Sequence, residues 1–562
     1  MFGSRPSDYD LLPSSERGKE RRTPLSARAS RLLKRRRVVS TLFVFVATAV
    51  LVGFYSVPYD AAQSLWRAAP EPQPQPVEEP LPPLYPEYHR AELALPQHDP
   101  SRAFEGGKKY MWVADHTQWS GFGNFMQDMV FNAQLVYETG RSYVFDNYTW
   151  DRDGPEYAKF GNNTIPSRIP LSALISGPIV GGPFEDDDHT PRAVVKEYWD
   201  LICPNKTVIR ADEVRKLHGE GADARKITDT WVRYIQDIED PCLEVERHSG
   251  SIYHVFMFGT PAEILPMWPT LSQSPILRLF GWGEPAHTAF AANRHLFAPA
   301  PLIAPYVAAA GCPHCIDPHA RLDGLLALHI RRGDFVEHCA NLCAWGAGFN
   351  AFNMFPAFPD PWAPPPDDAG GEARCAVYMR RCLPDVAQVV AKVEQVRASA
   401  VGRGLRAVYV MSNADRAWLK ELKDALRAAY AWEHVATSRD MVLTPEQKYT
   451  SQTLDMLVGE RAQVFIGNGF SSLTSNIAML RMARKMSPDS TLRRGSLCRF
   501  GTDEEDDSGQ EFPGSRSLYG QALMGCVQGR GDFTDIGYKM SSWRRQGSLL
   551  AKGCVFIGGS ER

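Results

Sequence analysis

The longest uninterrupted apolar stretch of the chain, VVSTLFVFVATAVLVGFYSV from Val38 to Val57, holds no charged side chain. At about 1.5 Å of rise per residue, about twenty helical residues span a hydrocarbon core of about 30 Å. Arg31, Lys34, Arg35, Arg36 and Arg37 precede it, whereas Pro58 and Asp60 follow without a basic cluster. By the positive-inside rule this predicts a single-pass type II signal anchor, with residues 1–37 as a cytosolic tail, the bilayer as a partner and the rest lumenal. A cleaved signal peptide fits less well, because the hydrophilic leader and the apolar run are both too long for one. After Pro58 the periodicity disappears into PEPQPQPVEEPLPPLYPEY, which predicts an extended stem over 58–105 without helix or sheet.

Beyond the stem, short apolar runs alternate with segments of helical period. Lys109–Ala114, Ser142–Phe145, Leu325–Ile330, Ala407–Met411 and Gln463–Ile466 read as buried strands. Phe125, Met129, Val130, Ala133 and Val136 mark a helix over 124–139, and Asp415–Tyr430 a second one. Strand–helix alternation predicts an α/β fold with parallel sheets. The expected divisions are 106–320, 321–500 with an insertion at 339–382, and a Gly- and Ser-rich extension at 501–562. Within the insertion the Pro-rich stretch Phe355–Gly371 reads as surface.

Composition changes this picture only slightly. The 562 residues carry a net charge of −3, which gives no basic surface for nucleic acid. All eleven cysteines lie between Cys203 and Cys554. Three sequons, at Asn147, Asn162 and Asn205, follow the anchor and are candidate glycosylation sites. Cys312 and Cys315 with Cys339 and Cys343 have a spacing that zinc can use, but an oxidising lumen favours disulfides, with Cys375 and Cys382 in the same stapled insertion. Asp186-Asp187-Asp188 lies in a polar loop and reads as a solvated turn, so no metal site is expected.

Three motifs carry candidate chemistry. Gly121-Phe122-Gly123-Asn124 joins a strand to a helix, and suits either a close backbone approach to a nucleotide or a tight turn with Asn124 as N-cap. The run His329-Ile330-Arg331-Arg332-Gly333-Asp334 ends an apolar strand, where open α/β sheets bind ligands. Alternation puts His329 and Arg331 on one face and Arg332 on the other, and an arginine fork suits phosphate. The third motif leads from Asp455 through Phe465-Ile466-Gly467-Asn468 to Ser471, Ser472 and Thr474, hydroxyls that either cap a helix or seat a phosphate.

Together these residues resemble the GDP-fucose protein O-fucosyltransferase family over roughly 108–484. That family carries a Gly-x-Phe-Gly-Asn type turn, a His-x-Arg segment, and an Asp sixteen residues before a Ser-Ser pair, as from Asp455 to Ser471 here. The resemblance implies a GT-B-like architecture of two Rossmann-like domains facing across a cleft. It also implies an inverting, metal-independent fucosyltransferase that needs no cofactor beyond its donor, GDP-fucose. Arg331 is then the catalytic, pyrophosphate-binding arginine. The donor would further contact Gly121, Phe122, Gly123, Asn124, His329, Ile330, Asp334, Asp455, Ser471, Ser472 and Leu473, with Asp455 on the guanine edge. Gly121 stands where relatives often carry Arg or Glu, in some the general base, which leaves Asp115 and His116 as candidates for that role. Tail, anchor, stem and lumenal domain form the layout of Golgi glycosyltransferases, so a Golgi or ER membrane is expected, with a protein or glycan acceptor. The alternative is a non-catalytic nucleotide-sugar- or glycan-binding protein on the same fold.

Overall fold

The computed structural model describes residues 84–117, 120–160, 163–297, 319–365 and 370–493. The tail, the anchor at 38–57, the stem up to residue 83 and the extension at 501–562 lie outside the described residues, as do Asn162, Cys312 and Cys315. Among the described residues no helix is long and apolar enough to cross a membrane.

Two five-stranded sheets, each wholly parallel, organise the described chain. The first contains β1 (Tyr110–Val113), β2 (Ser142–Phe145), β3 (Val194–Val195), β4 (Thr207–Ile209) and β5 (Cys242–Val245) in the order β3-β2-β1-β5-β4. The second contains β6 (Leu322–Ile330), β7 (Ala407–Ser412), β8 (His434–Thr437), β9 (Ala462–Gly467) and β10 (Thr491–Arg493) in the order β8-β7-β6-β9-β10. The helices that matter below are α1 (Pro86–Leu93), α2 (Phe122–Glu138), α3 (Phe335–Trp345), α4 (Gly371–Cys382), α5 (Val386–Ala398), α6 (Arg416–Ala429), α7 (Ser451–Arg461) and α8 (Ser472–Ala483).

Strand β6 shows why the sequence reads as a continuous apolar run: a parallel strand covered on both faces has no polar side to alternate with. Leu325 and Ala327 join an apolar core that continues through the first sheet. Leu326, Leu328 and Ile330 face the other way, into a core with Val389 and Val393 of α5 and Leu419, Leu422 and Leu426 of α6. The helix start signals are equally local, since Asp385 forms a capping box with Gln388 and Asp415 caps α6 through Trp418 N.

Three expectations change. The stem ends before residue 84: Pro86 opens α1 at a position that needs no amide donor, Tyr85 is buried, and its hydroxyl donates to Glu446 O at 2.6 Å. Glu92 of α1 is buried as well and accepts from Ser172 N at 2.8 Å. Second, the stretch from Phe355 is core as much as surface, since Phe355, Phe358, Asp360 and Trp362 are all buried. Prolines fix the turns there while the aromatic residues supply the buried area. Third, Gly121 and not Asn124 is the N-cap of α2, with Asn124 inside its first turn.

The cysteines staple what the sequence grouped. Cys339 pairs with Cys382 and Cys343 with Cys375, tying α3 to α4, and Cys203 pairs with Cys242. Among the described residues no group of three or more His, Cys, Asp or Glu stands together to hold a metal. Asn205 is exposed, whereas Asn147 is half-buried beside Asp146.

Candidate active site

In the second sheet the chain runs from central β6 outward to β7 and β8, then returns to β9 and β10 on the other side. The strand order therefore reverses between β6 and β9, and ligands of open α/β sheets bind outside the carboxyl ends at such a point. Strand β6 delivers His329 and Arg331 to that place, and β9 delivers Asn468 and the start of α8.

The two strands are joined there by side chains. His329 Nδ1 lies 2.7 Å from Thr474 Oγ1 of α8. Arg331 is 3% exposed; its Nη2 donates to both carboxylate oxygens of Asp334 at 3.0 and 2.8 Å, and its guanidinium stacks 4.9 Å over the Phe335 ring. Asn413 Nδ2 donates to the same Asp334 at 2.8 Å. Arg332 leaves by the opposite face, over Trp418 at 4.5 Å, as strand alternation predicts. Ile330 is a correction: its side chain lies in the core behind the sheet, so only its backbone faces the site. Beside Arg331, His338 lies against Phe335 and is driven down to a pKa of about 4, first by burial and then by the Arg331 charge. It adds no competing cation.

Asp455 and Tyr409 lie on the same side of the second sheet as His329. Tyr409 belongs to the core face that carries Leu325 and Ala327, and its hydroxyl donates to Asp455 Oδ1 at 2.7 Å. Burial pushes the Asp455 carboxyl up to about 7, against the opposing hydrogen bond from Tyr409. The sign for stability follows from linkage. A carboxyl whose folded pKa is raised contributes stability that is complete below its unfolded pKa and is lost as pH rises through about 7. Asp455→Asn keeps an acceptor for Tyr409 and cannot ionise. Its melting temperature should therefore fall less between pH 5 and 8 than that of the parent, in which Asp455 adds to the loss; parallel curves would mean that Asp455 is not held protonated.

The first motif meets the third at a helix–helix contact. A side-chain carbon on Gly123 would come 2.7 Å from Ser472 Oγ and 3.0 Å from Leu473 N. Asn476 Nδ2 donates to Gly123 O at 2.8 Å, and Gln127 Nε2 donates to Ser475 Oγ at 3.0 Å and to Asn350 Oδ1 at 2.7 Å. Gly123 thus serves the approach of α8 to α2. Two helix N-termini, begun by Gly121-Phe122-Gly123-Asn124 and by Ser471-Ser472-Leu473, converge, and their partial positive charges add at one anion-attracting place. Ser471 Oγ is buried without a hydrogen-bond partner among the described residues, and Ser471 makes no side-chain cap.

On the first sheet, Asp115 and His116 follow β1, and Asp146 follows β2. Asp128 of α2 accepts from Thr117 N at 2.8 Å and from Asn132 Nδ2 at 3.0 Å, which anchors the loop after β1; burial raises its carboxyl to about 6. Sequence reading missed Tyr409, Asn413 and Asp128, and named Thr474 without its pairing to His329. Their partners are as far as 145 residues away, and no local pattern marks such pairs. Two surface cavities, of about 270 and 520 Å³, open elsewhere, beside β8 and beside Glu460.

Residues 314–484 match the model of the family described as GDP-fucose protein O-fucosyltransferase. The match covers His329, Arg331, Asp334, Asp455 and Ser471–Leu473, and does not reach Gly121–Asn124. No curated protein sequence matches significantly. Among solved structures, POFUT1 in its apo form aligns at TM-score 0.39 and 14% identity, over 69% of this chain and 98% of that one. POFUT1 in complex with GDP-fucose aligns at 0.39 and 15%, over 70% and 98%. A mutant of Arabidopsis thaliana FUT1 in complex with GDP aligns at 0.29 and 13%, over 71% and 73%. The segment at 314–484 is thus of the GDP-fucose protein O-fucosyltransferase type, which marks the chain as a fucosyltransferase.

Proposed function

We propose that the chain transfers fucose from GDP-fucose, with inversion and without a metal, to a hydroxyl of a lumenal protein or glycan. Supporting this is the meeting of Arg331, His329 and the α8 N-terminus at the strand-order reversal, inside the family-matched segment. The two sheets act as GT-B-like, Rossmann-like halves, with the donor between them. The guanine N–H edge draws the Asp455 carboxyl, neutral below about pH 7 without ligand, into the ionised form that accepts from both donors. The diphosphate lies on Arg331 and on the α8 start at Ser471, Ser472 and Leu473, with His329 beside it. Asp334 holds the Arg331 fork in place, and the α2 start at Gly121–Asn124 contacts the donor from the other half. As the bond from fucose C1 to the β-phosphate oxygen breaks, charge grows on GDP, and a preorganised arginine stabilises that charge more than it stabilises the ground state.

The proposed place of action is the Golgi or ER lumen, with the segment at 38–57 anchoring a type II protein. Of the two described sequons, Asn205 is the more accessible to glycosylation.

The site as read neutralises the diphosphate with Arg331 and contains no paired carboxylates for a divalent ion. Full-length protein in detergent should therefore release GDP from GDP-fucose, at a rate that EDTA leaves unchanged, and release little from GDP-mannose. Release from neither sugar would mean a binding protein. Loss in EDTA that manganese restores would reject the metal-independent reading.

A further inference from the structure

Inversion at fucose C1 requires the acceptor oxygen to arrive opposite the departing diphosphate. On the donor reading, which this inference rests on, the diphosphate is held by the second sheet and by α8. The group that accepts the hydroxyl proton must then come from the half that carries the first sheet.

The carboxyl edge of that sheet offers Asp115, His116 and Asp146 on the loops that follow β1 and β2. Strand β1 stands at the centre of the first sheet, so the loop carrying His116 leaves from the middle of that sheet's carboxyl edge. His116 is the best-fixed of the three. Its ring stands edge-to-face on Phe125 of α2, with centroids 5.8 Å apart, and bonds to the Val113 carbonyl. Phe125 in turn packs on Phe122 and Tyr148, two residues along α2 from Gly123, which closely approaches Ser472. Arg152 Nη2 lies 3.3 Å from Nδ1 and 3.2 Å from Nε2. A group that close to both nitrogens cannot lie along either in-plane lone pair; it covers the ring instead. With one nitrogen donating to Val113 O, the other is unprotonated and keeps its lone pair. Asp146 is engaged by Arg152 at 3.8 Å, and Asp115 has no hydrogen bond or ion pair among the described residues.

We propose that His116 is the base that takes the proton from the acceptor hydroxyl. The O–H proton passes to the imidazole as the oxygen bonds to fucose C1. The bond from C1 to the β-phosphate oxygen breaks, its electron pair leaves with GDP beside Arg331, and the imidazolium returns its proton to solvent. The sum is GDP-fucose plus hydroxyl giving fucoside, GDP and one proton. The charged groups facing His116 are Asp115 on its own loop, Asp146 after β2 and Arg152. Burial and Arg152 lower its pKa to about 4 while the two carboxylates oppose them, so the ring is neutral and able to accept throughout pH 5.5–8.5.

The test uses full-length protein in detergent, with water as the acceptor, and reads GDP release from GDP-fucose beside GDP binding by calorimetry. His116→Ala and His116→Gln should bind GDP as the parent does and release it about 100-fold more slowly. The parent rate should be level over pH 5.5–8.5. The rate of both variants should climb with pH as hydroxide takes over, and added imidazole should restore much of it to His116→Ala. Asp115→Ala should remain within a few-fold of the parent. Intact GDP binding with unchanged release in His116→Ala overturns the base, as does a uniformly lowered, level profile that imidazole does not rescue, which is the mark of a structural role. Absence of GDP binding in the parent protein overturns the donor reading itself.

Discussion

Arg331→Ala lowers the rate of GDP release from GDP-fucose by about 10²–10³-fold, which corresponds to loss of one preorganised donor worth about 3–4 kcal/mol at the transition state. The structure predicts that this loss is confined to turnover. Arg331 is 3% exposed, yet its guanidinium bonds Asp334, a side chain 47% exposed that Asn413 also holds. Removing the guanidinium leaves Asp334 bonded to Asn413 and hydrated, and also removes a stacking contact on Phe335. The melting temperature should fall by a few degrees at most. Arg331→Lys should recover little, because an ammonium cannot present the planar fork that binds two oxygens in parallel. Arg332→Lys provides the internal control. Arg332 lies behind the sheet over Trp418, where its loss costs some packing and no charge at the site. Turnover and melting temperature measured for the three variants decide the matter: near-parental turnover in Arg331→Ala rejects the donor site, and equal sensitivity at Arg332 assigns the role to the wrong arginine.

How much of this was legible in the sequence depends on the range of the interaction that fixes each feature. Strand β6 is legible because nine consecutive residues encode a strand buried on both faces, and the alternation that separates Arg331 from Arg332 is built into the same run. The caps at Asp385 and Asp415 are legible because donor and acceptor lie three residues apart. The aromatic residues between Phe355 and Trp362 were hidden by the prolines around them, because proline reports on backbone freedom and says nothing about where a neighbouring ring is buried. Gly123 reads from sequence as serving either a close ligand or a tight turn; its close neighbour in the fold is Ser472, and only the fold brings α8 to that position. The partners of His329 and Asp455 escaped for the same reason: Thr474 is a helix-opening hydroxyl by sequence, and Tyr409 is one more apolar position in a strand. Elements are local properties, whereas a site is a set of distant residues that strand order brings together.

Glu460→Ala should lower the melting temperature by roughly 10 °C, from a loss of about 3–5 kcal/mol, the cost of removing one partner from a buried charge pair. Glu460 lies on α7 and its side chain is 3% exposed. Its Oε2 accepts from Trp282 Nε1 at 2.8 Å, while Oε1 lies 3.2 Å from Arg484 Nε and 3.3 Å from His319 Nδ1. Arg484 also donates to Arg278 O at 2.7 Å and to Phe280 O at 2.6 Å. One carboxylate therefore joins α7 and the end of α8 to the chain around Phe280–Trp282, which pairs with Ile175 and Ser176 of the first half. Burial alone would raise its pKa. The bond from His319, the Arg484 charge and the Trp282 bond outweigh that and hold it below its usual value. A lowered carboxyl pKa contributes stability that is present above the unfolded value of 4.5 and is lost as pH falls through the folded one, so the effect is complete at neutral pH. Alanine leaves the buried Trp282 N–H and one arginine charge without their acceptor. Glutamine keeps an acceptor for Trp282 and loses the charge, and should cost about half as much. Asp455 is on the same helix as Glu460, so a loosened α7 also displaces the carboxylate read as binding guanine, and GDP affinity should fall along with the melting temperature. Melting curves and GDP titrations on the two variants test both effects. A melting temperature unchanged in Glu460→Ala would show that packing alone holds the halves together, and weakened GDP binding without it would locate the effect in the position of α7.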